Sequence, residues 1–286
     1  MRKEALFLPW PLDPGRDPAR GLFLPGSNIV YDFHGDPCRA ELIVVMEGNQ
    51  FMVIPELLRA FQEALGRPVE VFYVTLPPPR FRPLVEGGEL AVGNLVLSVR
   101  PQVVMGPPEF MSGLLEAGLI TEPRTFVRNR GVVLVVQKGN PLGISGPEDL
   151  LRPEVRLAIS NPETEVNSYR TYISALRHVP GLSQKIEREA LKSRQIHHRE
   201  IPALLYHGLA DVAPLYYHFA RYYQDPRFFA EPLFDYVEFP EGAAVKNEYQ
   251  VALHREAAQN SLAQAFRDFL LTPRAREIYA SYGFEG

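Results

Sequence analysis

The sequence predicts an α/β protein built as two lobes. Two observations carry this. Short apolar runs alternate with segments whose apolar residues recur at spacings of three and four. That alternation implies mostly parallel sheets covered by helices, with ligand at the carboxyl ends of the strands. The 286 residues also supply more strand–helix units than one small sheet would use.

Residues 1–40 are rich in Pro, Gly and Asp and read as an extended arm, with a short strand at "SNIVYDF". "ELIVVM" (41–46) is a fully apolar strand. A turn, Glu47-Gly48-Asn49-Gln50, leads into a helix over 50–65, where Phe51, Ile54, Leu57, Leu58, Phe61 and Leu65 share a face. "VEVFYV" (69–74) is the next strand. "TLPPPRFRP" then turns into a short helical piece ending at Gly87-Gly88, followed by strands at "NLVLSV" and "PQVVMG" and a helix at "PEFMSGLLEAGLI". "RGVVLVVQKGNP" is a long strand closed by a Gly-Asn-Pro turn. "SGPEDLL" opens a helix with Ser145 as its N-cap. "VRLAIS" is a strand, "NSYRTYISALRHV" a helix and "EIPALLYHGLA" an amphipathic segment. "DVAPLYY" is a strand entering a further helix. "YQVALH" is the last strand, and a helical pair, "SLAQAFRDFLLTPRAREIYASYGF", closes the chain.

Composition excludes several classes. The chain is 46% hydrophobic and 22% charged with a net charge of −4, so it is globular and carries no basic field for nucleic acid. Cys38 is the only cysteine, which rules out an internal disulfide and any cysteine-rich metal site. The 27 prolines hint at a thermostable protein. No apolar run approaches the ~18 residues of a membrane span. The N-terminus begins with two basic residues but is broken by Pro9 and Pro11, so it does not read as an export signal and the chain as written is expected to be cytoplasmic.

Three stretches resemble the periplasmic-type (type II) solute-binding proteins, above all the molybdate-binding proteins of ABC importers. These are "NRGVVLVVQKGNP" with "GPEDLLRPEVRLAISNPET", then "IPALLYHGLADVAPLYYHFA" with its G-x-A-D, and "AFRDFLLTPRAREIYASYGF", similar to the family's F-x-x-F-L-x-S-P-x-A-x-x-I-F-x-x-Y-G-F ending. The resemblance covers roughly residues 41–286. It implies a two-lobed fold with a ligand cleft between lobes joined by two crossover strands: residues 1–40 as an arm, 41–129 with 246–286 as one lobe, and 130–245 as the other. It also implies an extracytoplasmic place and an ABC permease as partner.

By position within the matched segments, the resemblance implies ligand contacts at Asn49 and Gln50 in the first turn, Arg80 beside Pro78 and Pro79 in the second, Asn167 and Ser168 at a helix start, His198 and Arg199 before the next helix, and Tyr216. Only the tyrosine matches the family's residue. The prolines carry neither a hydroxyl nor an N–H, whereas Asn167, His198 and Arg199 are bulkier and more cationic. A ligand larger than a small tetrahedral dianion, and anionic, fits these changes. Asn49 also reads as a plain helix cap, Arg80 and Arg82 as solvated charges, Tyr216 and Tyr217 as core aromatics, and Asn161-Pro162-Glu163 as a structural turn.

No catalytic residue, cofactor or metal is expected. His197-His198 in an extended segment point to opposite sides and do not chelate one ion. "GGELAVG" lacks the setting of a phosphate loop, and there is no G-x-S-x-G elbow. The expected function is a monomeric solute-binding protein for a small molecule or oxyanion, serving an ABC importer. A cytosolic ligand sensor on the same scaffold, or an enzyme reusing the cleft, are the alternatives.

Overall fold

Residues 33–92, 95–193 and 200–285 are described by a computed structural model, and they fall into two compact units. One holds the described residues to Arg128 together with those from Asn247 onward; the other is Asn129–Lys246. The expected strand at "SNIVYDF" lies outside the described residues except for Phe33.

The first unit contains β1 (Phe33–His34), β2 (Leu42–Met46), β3 (Val71–Thr75), the hairpin β4 (Glu89–Val92) and β5 (Leu95–Ser98), β6 (Val103–Gly106) and β7 (Arg124–Asn129), whose last residue already belongs to the second unit. The second unit contains β8 (Val132–Gln137), β9 (Ala158–Ile159), β10 (Leu191–Lys192), β11 (Val212–Tyr216) and β12 (Phe234–Val237). The chain then returns to the first unit with β13 (Glu248–Leu253) and β14 (Phe284–Glu285).

The first unit's main sheet has the order β1-β3-β2-β6-β13-β7-β14. Only β3, β2 and β6 run parallel; β1 and β13 join antiparallel, and β7 pairs antiparallel with β13 across a register shift at Tyr249/Gln250. The expectation of a mostly parallel sheet is therefore corrected to a mixed one. Strand–helix alternation sees only neighbours in sequence, and β13 enters the middle of this sheet from the far end of the chain.

Helix α1 (Ile54–Leu65) begins four residues later than the spacing suggests and buries Ile54, Leu57, Leu58 and Phe61. Each such side chain contributes about 1.5–3 kcal/mol when fully buried. Two short helices follow, α2 (Pro78–Gly87) and α3 (Pro108–Glu116).

In the second unit β8 is the centre of an antiparallel sheet, β11-β8-β12. The parallel pair β9–β10 is linked to it through a bridge between Leu157 and Val212. Its helices are α4 (Val166–Leu176), α5 (Leu182–Glu189), α6 (Ile201–Tyr206), α7 (Tyr217–Tyr222) and α8 (Pro240–Ala244). Strands β7 and β12 and helices α5 and α8 carry no clear sequence signal. In β7 the exposed Arg124 and Arg128 break up the apolar run, and α5 buries only Leu182, Lys185 and Ile186. Ser145 does not cap a helix: its hydroxyl and N–H both reach the Asp149 carboxylate at 2.7 Å, and a 3-10 turn starts after Gly146.

The C-terminal motif packs on the first unit. Helix α9 (Ser261–Leu270) places Phe266 and Phe269 against Phe61, with ring centroids 5.1 and 5.6 Å apart. Helix α10 (Pro273–Ser281) carries Tyr279, and Tyr282 just beyond it donates to Glu56 at 2.9 Å.

The Asp of the G-x-A-D stretch is structural. Asp211 accepts two side-chain bonds from Arg156, at 2.6 and 3.0 Å, and the Arg156 N–H at 2.9 Å. Partial burial pushes its pKa up, but these bonds outweigh it, and the carboxyl lies below its ordinary range. A depressed folded-state pKa stabilises above the unfolded value of about 3.9, and this is lost as pH falls through the folded value. Asp211→Asn should therefore cost about 1–2 kcal/mol at neutral pH, discounted for the exposed Arg156. That difference should shrink in urea melts as pH falls through the folded value; an equal cost at neutral and at acid pH would contradict it.

Candidate ligand site

In the first unit the parallel strands end in register, Met46 beside both Thr75 and Met105. Open α/β sheets gather their ligands at such carboxyl ends. Glu47 follows β2 directly, and Gly48–Gln50 form one turn of 3-10 helix, all buried. The sequence reading has this turn present helix N-terminal N–H groups. Just beyond it the Phe51 N–H bonds Gly48 O and the Val53 N–H bonds Gln50 O, at 3.3 and 3.0 Å. The turn also offers side chains. The Asn49 amide donates to Glu47 Oε1. Gln50 Oε1 accepts the Tyr279 hydroxyl at 2.6 Å, and Gln50 Nε2 is buried with no hydrogen-bond partner among the described residues. Burial holds the Tyr279 phenol far above its ordinary pKa, so it remains a donor.

The second turn is the start of α2. Pro78 and Pro79 occupy its first positions, and the Arg80 N–H is taken by Pro77 O at 2.8 Å. No backbone donor is left there, and the Arg80 side chain is exposed. A hydroxyl does stand two residues before Pro77: Thr75, fully buried at the end of β3.

In the second unit β9 leads to Ser160, fully buried, whose Oγ has no hydrogen-bond partner among the described residues. Asn161 builds the next turn: its side chain accepts from Glu163 N–H at 2.9 Å and donates to Ser193 O at 3.2 Å, while its carbonyl accepts Glu165 N–H at 2.9 Å. Asn161-Pro162-Glu163 is thus a structural turn that starts α4. The 11-residue α4 has no side-chain cap and no acid in its first turn, which leaves its first N–H groups without intrahelical acceptors. Asn167 is half-buried and Ser168 buried in that turn. Tyr216 ends β11 inside an aromatic cluster, 5.1 Å from the Tyr172 ring and stacked 5.3 Å from His218. His198 and Arg199, with His197, lie outside the described residues.

Arg130 stacks over the Tyr217 ring at 4.4 Å and donates to its hydroxyl at 3.1 Å. Beside them, the Tyr236 phenol is pushed up to about 12 by burial first, then by its bond to Tyr217. Glu47, Thr75 and Ser160 are polar groups the sequence did not single out. The signal for Glu47 was in plain view, as an acid directly after a fully apolar strand. Among the described residues no group of three His, Cys, Asp or Glu side chains is placed to hold a metal ion, and no helix is long and apolar enough to cross a membrane.

Residues 42–285 match the family model of the bacterial extracellular solute-binding proteins. No relative is found among curated protein sequences. Among solved structures, the chain is similar to the periplasmic molybdate-binding protein of Azotobacter vinelandii, at 17% identity and TM-score 0.65, over 85% of this chain and 98% of that one. It is similar to the sulfate-binding protein SubI of Mycobacterium tuberculosis H37Rv, at 20% identity and TM-score 0.63, over 85% of each chain. Iron-bound HitA of Pseudomonas aeruginosa matches at 14% identity and TM-score 0.61, over 84% of each. The likeness is one of fold, the type II periplasmic-binding-protein fold, and the three names carry three different solutes.

Proposed function

Because the chain belongs to the bacterial extracellular solute-binding protein family, we propose that it binds a small anionic solute and delivers it to an ABC permease. The chain is read as a binding protein and not as an enzyme. The observation that carries the anionic reading is Gln50 Nε2, a buried amide donor with no acceptor among the described residues, held at the carboxyl ends of parallel strands. A buried donor without a partner costs about 1–3 kcal/mol, which an acceptor on the ligand recovers. Ser160 Oγ and the uncapped start of α4, with Asn167 and Ser168, add donors of the same kind. Asn49, Gln50, Asn167, Ser168 and Tyr216 are proposed as ligand residues. Arg80, His198 and Arg199 are proposed as cationic contributors that favour a ligand beyond tetrahedral size.

Native mass spectrometry of the purified protein tests the reading by identifying a co-purifying solute. With that solute, Asn49→Ala should weaken binding about 3–10-fold, the worth of one hydrogen bond at about 1.4 kcal/mol per tenfold. The variant should melt as a folded protein. Unchanged affinity by calorimetry would remove the first turn from the site.

A further inference from the structure

Gln50 and Tyr279 meet inside the first unit, both fully buried. Tyr279 donates to Gln50 Oε1 at 2.6 Å, and its hydroxyl has no other hydrogen-bond partner among the described residues. Phe126 and Phe284 pack on its ring, with centroids 5.5 and 5.3 Å away. The phenol keeps its proton, since burial holds its pKa far above the ordinary value. The family ending that this chain resembles has Phe at this place, so the hydroxyl is an addition to a packing residue.

An amide has two ends of similar shape and opposite chemistry, an oxygen that accepts and a nitrogen that donates. Burial alone does not choose between its two orientations. A hydroxyl that must donate does choose. It takes the oxygen and leaves the nitrogen, and Gln50 Nε2 is the end that lacks an acceptor among the described residues. Turned over, the amide would give its nitrogen to the phenol oxygen and strand the phenol proton, a buried donor left unpaired.

We propose that Tyr279 is a positioning residue of the ligand site: its hydroxyl locks the Gln50 amide with the nitrogen toward the ligand, which sets that place to take an oxygen acceptor and to refuse an N–H group. This rests on the anion-binding reading above and adds to it a residue of the C-terminal helix, 229 positions away in sequence. The tie to the ligand runs both ways. An oxygen that accepts from Nε2 polarises the amide and strengthens the bond that Oε1 accepts from Tyr279. The helix that carries the phenol is itself fastened, since Tyr282 at the end of α10 donates to Glu56 of α1 at 2.9 Å.

The test is a double-mutant cycle on the full chain. Wild type, Tyr279→Phe, Gln50→Ala and the double variant are titrated calorimetrically with inorganic phosphate and with sulfate near pH 7. Tyr279→Phe keeps the ring and should weaken anion binding about 3–10-fold. Gln50→Ala should weaken it about tenfold. Adding Tyr279→Phe to Gln50→Ala should change nothing further, because the hydroxyl then has no amide to hold. A tyrosine that matters only to packing would add its loss in both backgrounds. Unchanged affinity in either single variant, or equal losses from Tyr279→Phe in the two backgrounds, overturns the positioning role and leaves anion binding standing. Binding of neither anion by the wild type overturns both readings. Should Tyr279→Phe melt as an unfolded chain, Gln50→Glu decides. It keeps an oxygen for the hydroxyl and puts a second oxygen in place of the donor, so it must lose at least about tenfold in affinity, and an unchanged affinity there is equally fatal.

Discussion

Gly131→Ala should destabilise the second unit by about 2–6 kcal/mol, the sum of backbone strain and overpacking at about 1–3 kcal/mol each. Gly131 has φ +107, a conformation L side chains rarely adopt. A Cβ there would sit 2.5 Å from Gly242 O and 2.9 Å from Ala243 Cα, so α8 approaches the start of β8 at backbone distance. Both neighbours are backbone and cannot rotate away. Gly139→Ala is the matched control: φ is +80, but nothing lies within 4 Å of the added Cβ. It should cost only the strain, about 1 kcal/mol. Against a total stability of about 5–15 kcal/mol, the first change should be plain in thermal and urea melts and the second slight. Equal losses in the two variants would show that α8 moves aside and that the close approach is not what requires glycine.

Molybdate and tungstate should bind weakly or not at all. The start of α2 offers no donor: Pro78 and Pro79 lack an N–H, and the Arg80 N–H is bonded to Pro77 O at 2.8 Å. A tetrahedral anion held by such a turn loses up to two charge-assisted bonds, each about 1.5–3 kcal/mol. Together these weaken affinity by about two to four orders of magnitude. Thermal-shift titration with micromolar molybdate or tungstate should leave the melting temperature unchanged. A large rise would show that the Thr75 hydroxyl or the Arg80 guanidinium supplies the missing donors.

Much of the fold is legible in the sequence because its signals are local. The apolar runs of β2, β6, β8, β11 and β13 announce themselves, and so does the spacing of Ile54, Leu57, Leu58 and Phe61 on α1. Strand β7 does not, since its charged positions face outward and mask the alternation. Of the candidate site, the loss of donors at Pro78 and Pro79 is readable from residue chemistry alone. The state of the first turn is not: nothing local says that Asn49 turns to Glu47, or that the Tyr279 hydroxyl bonds Gln50.

The sequence by itself determined the class of the protein, much of its element order and the family its chain belongs to, because hydrophobic periodicity, turn residues and the C-terminal motif act over a few residues at a time. Tertiary structure alone decided that β13 runs antiparallel in the middle of the first sheet. It also decided that Tyr279, in the C-terminal motif, fixes the amide of Gln50 from 229 residues away, and that Glu47 is buried in the same turn. These depend on which distant segments meet, and a buried polar group takes its role from the partner it meets.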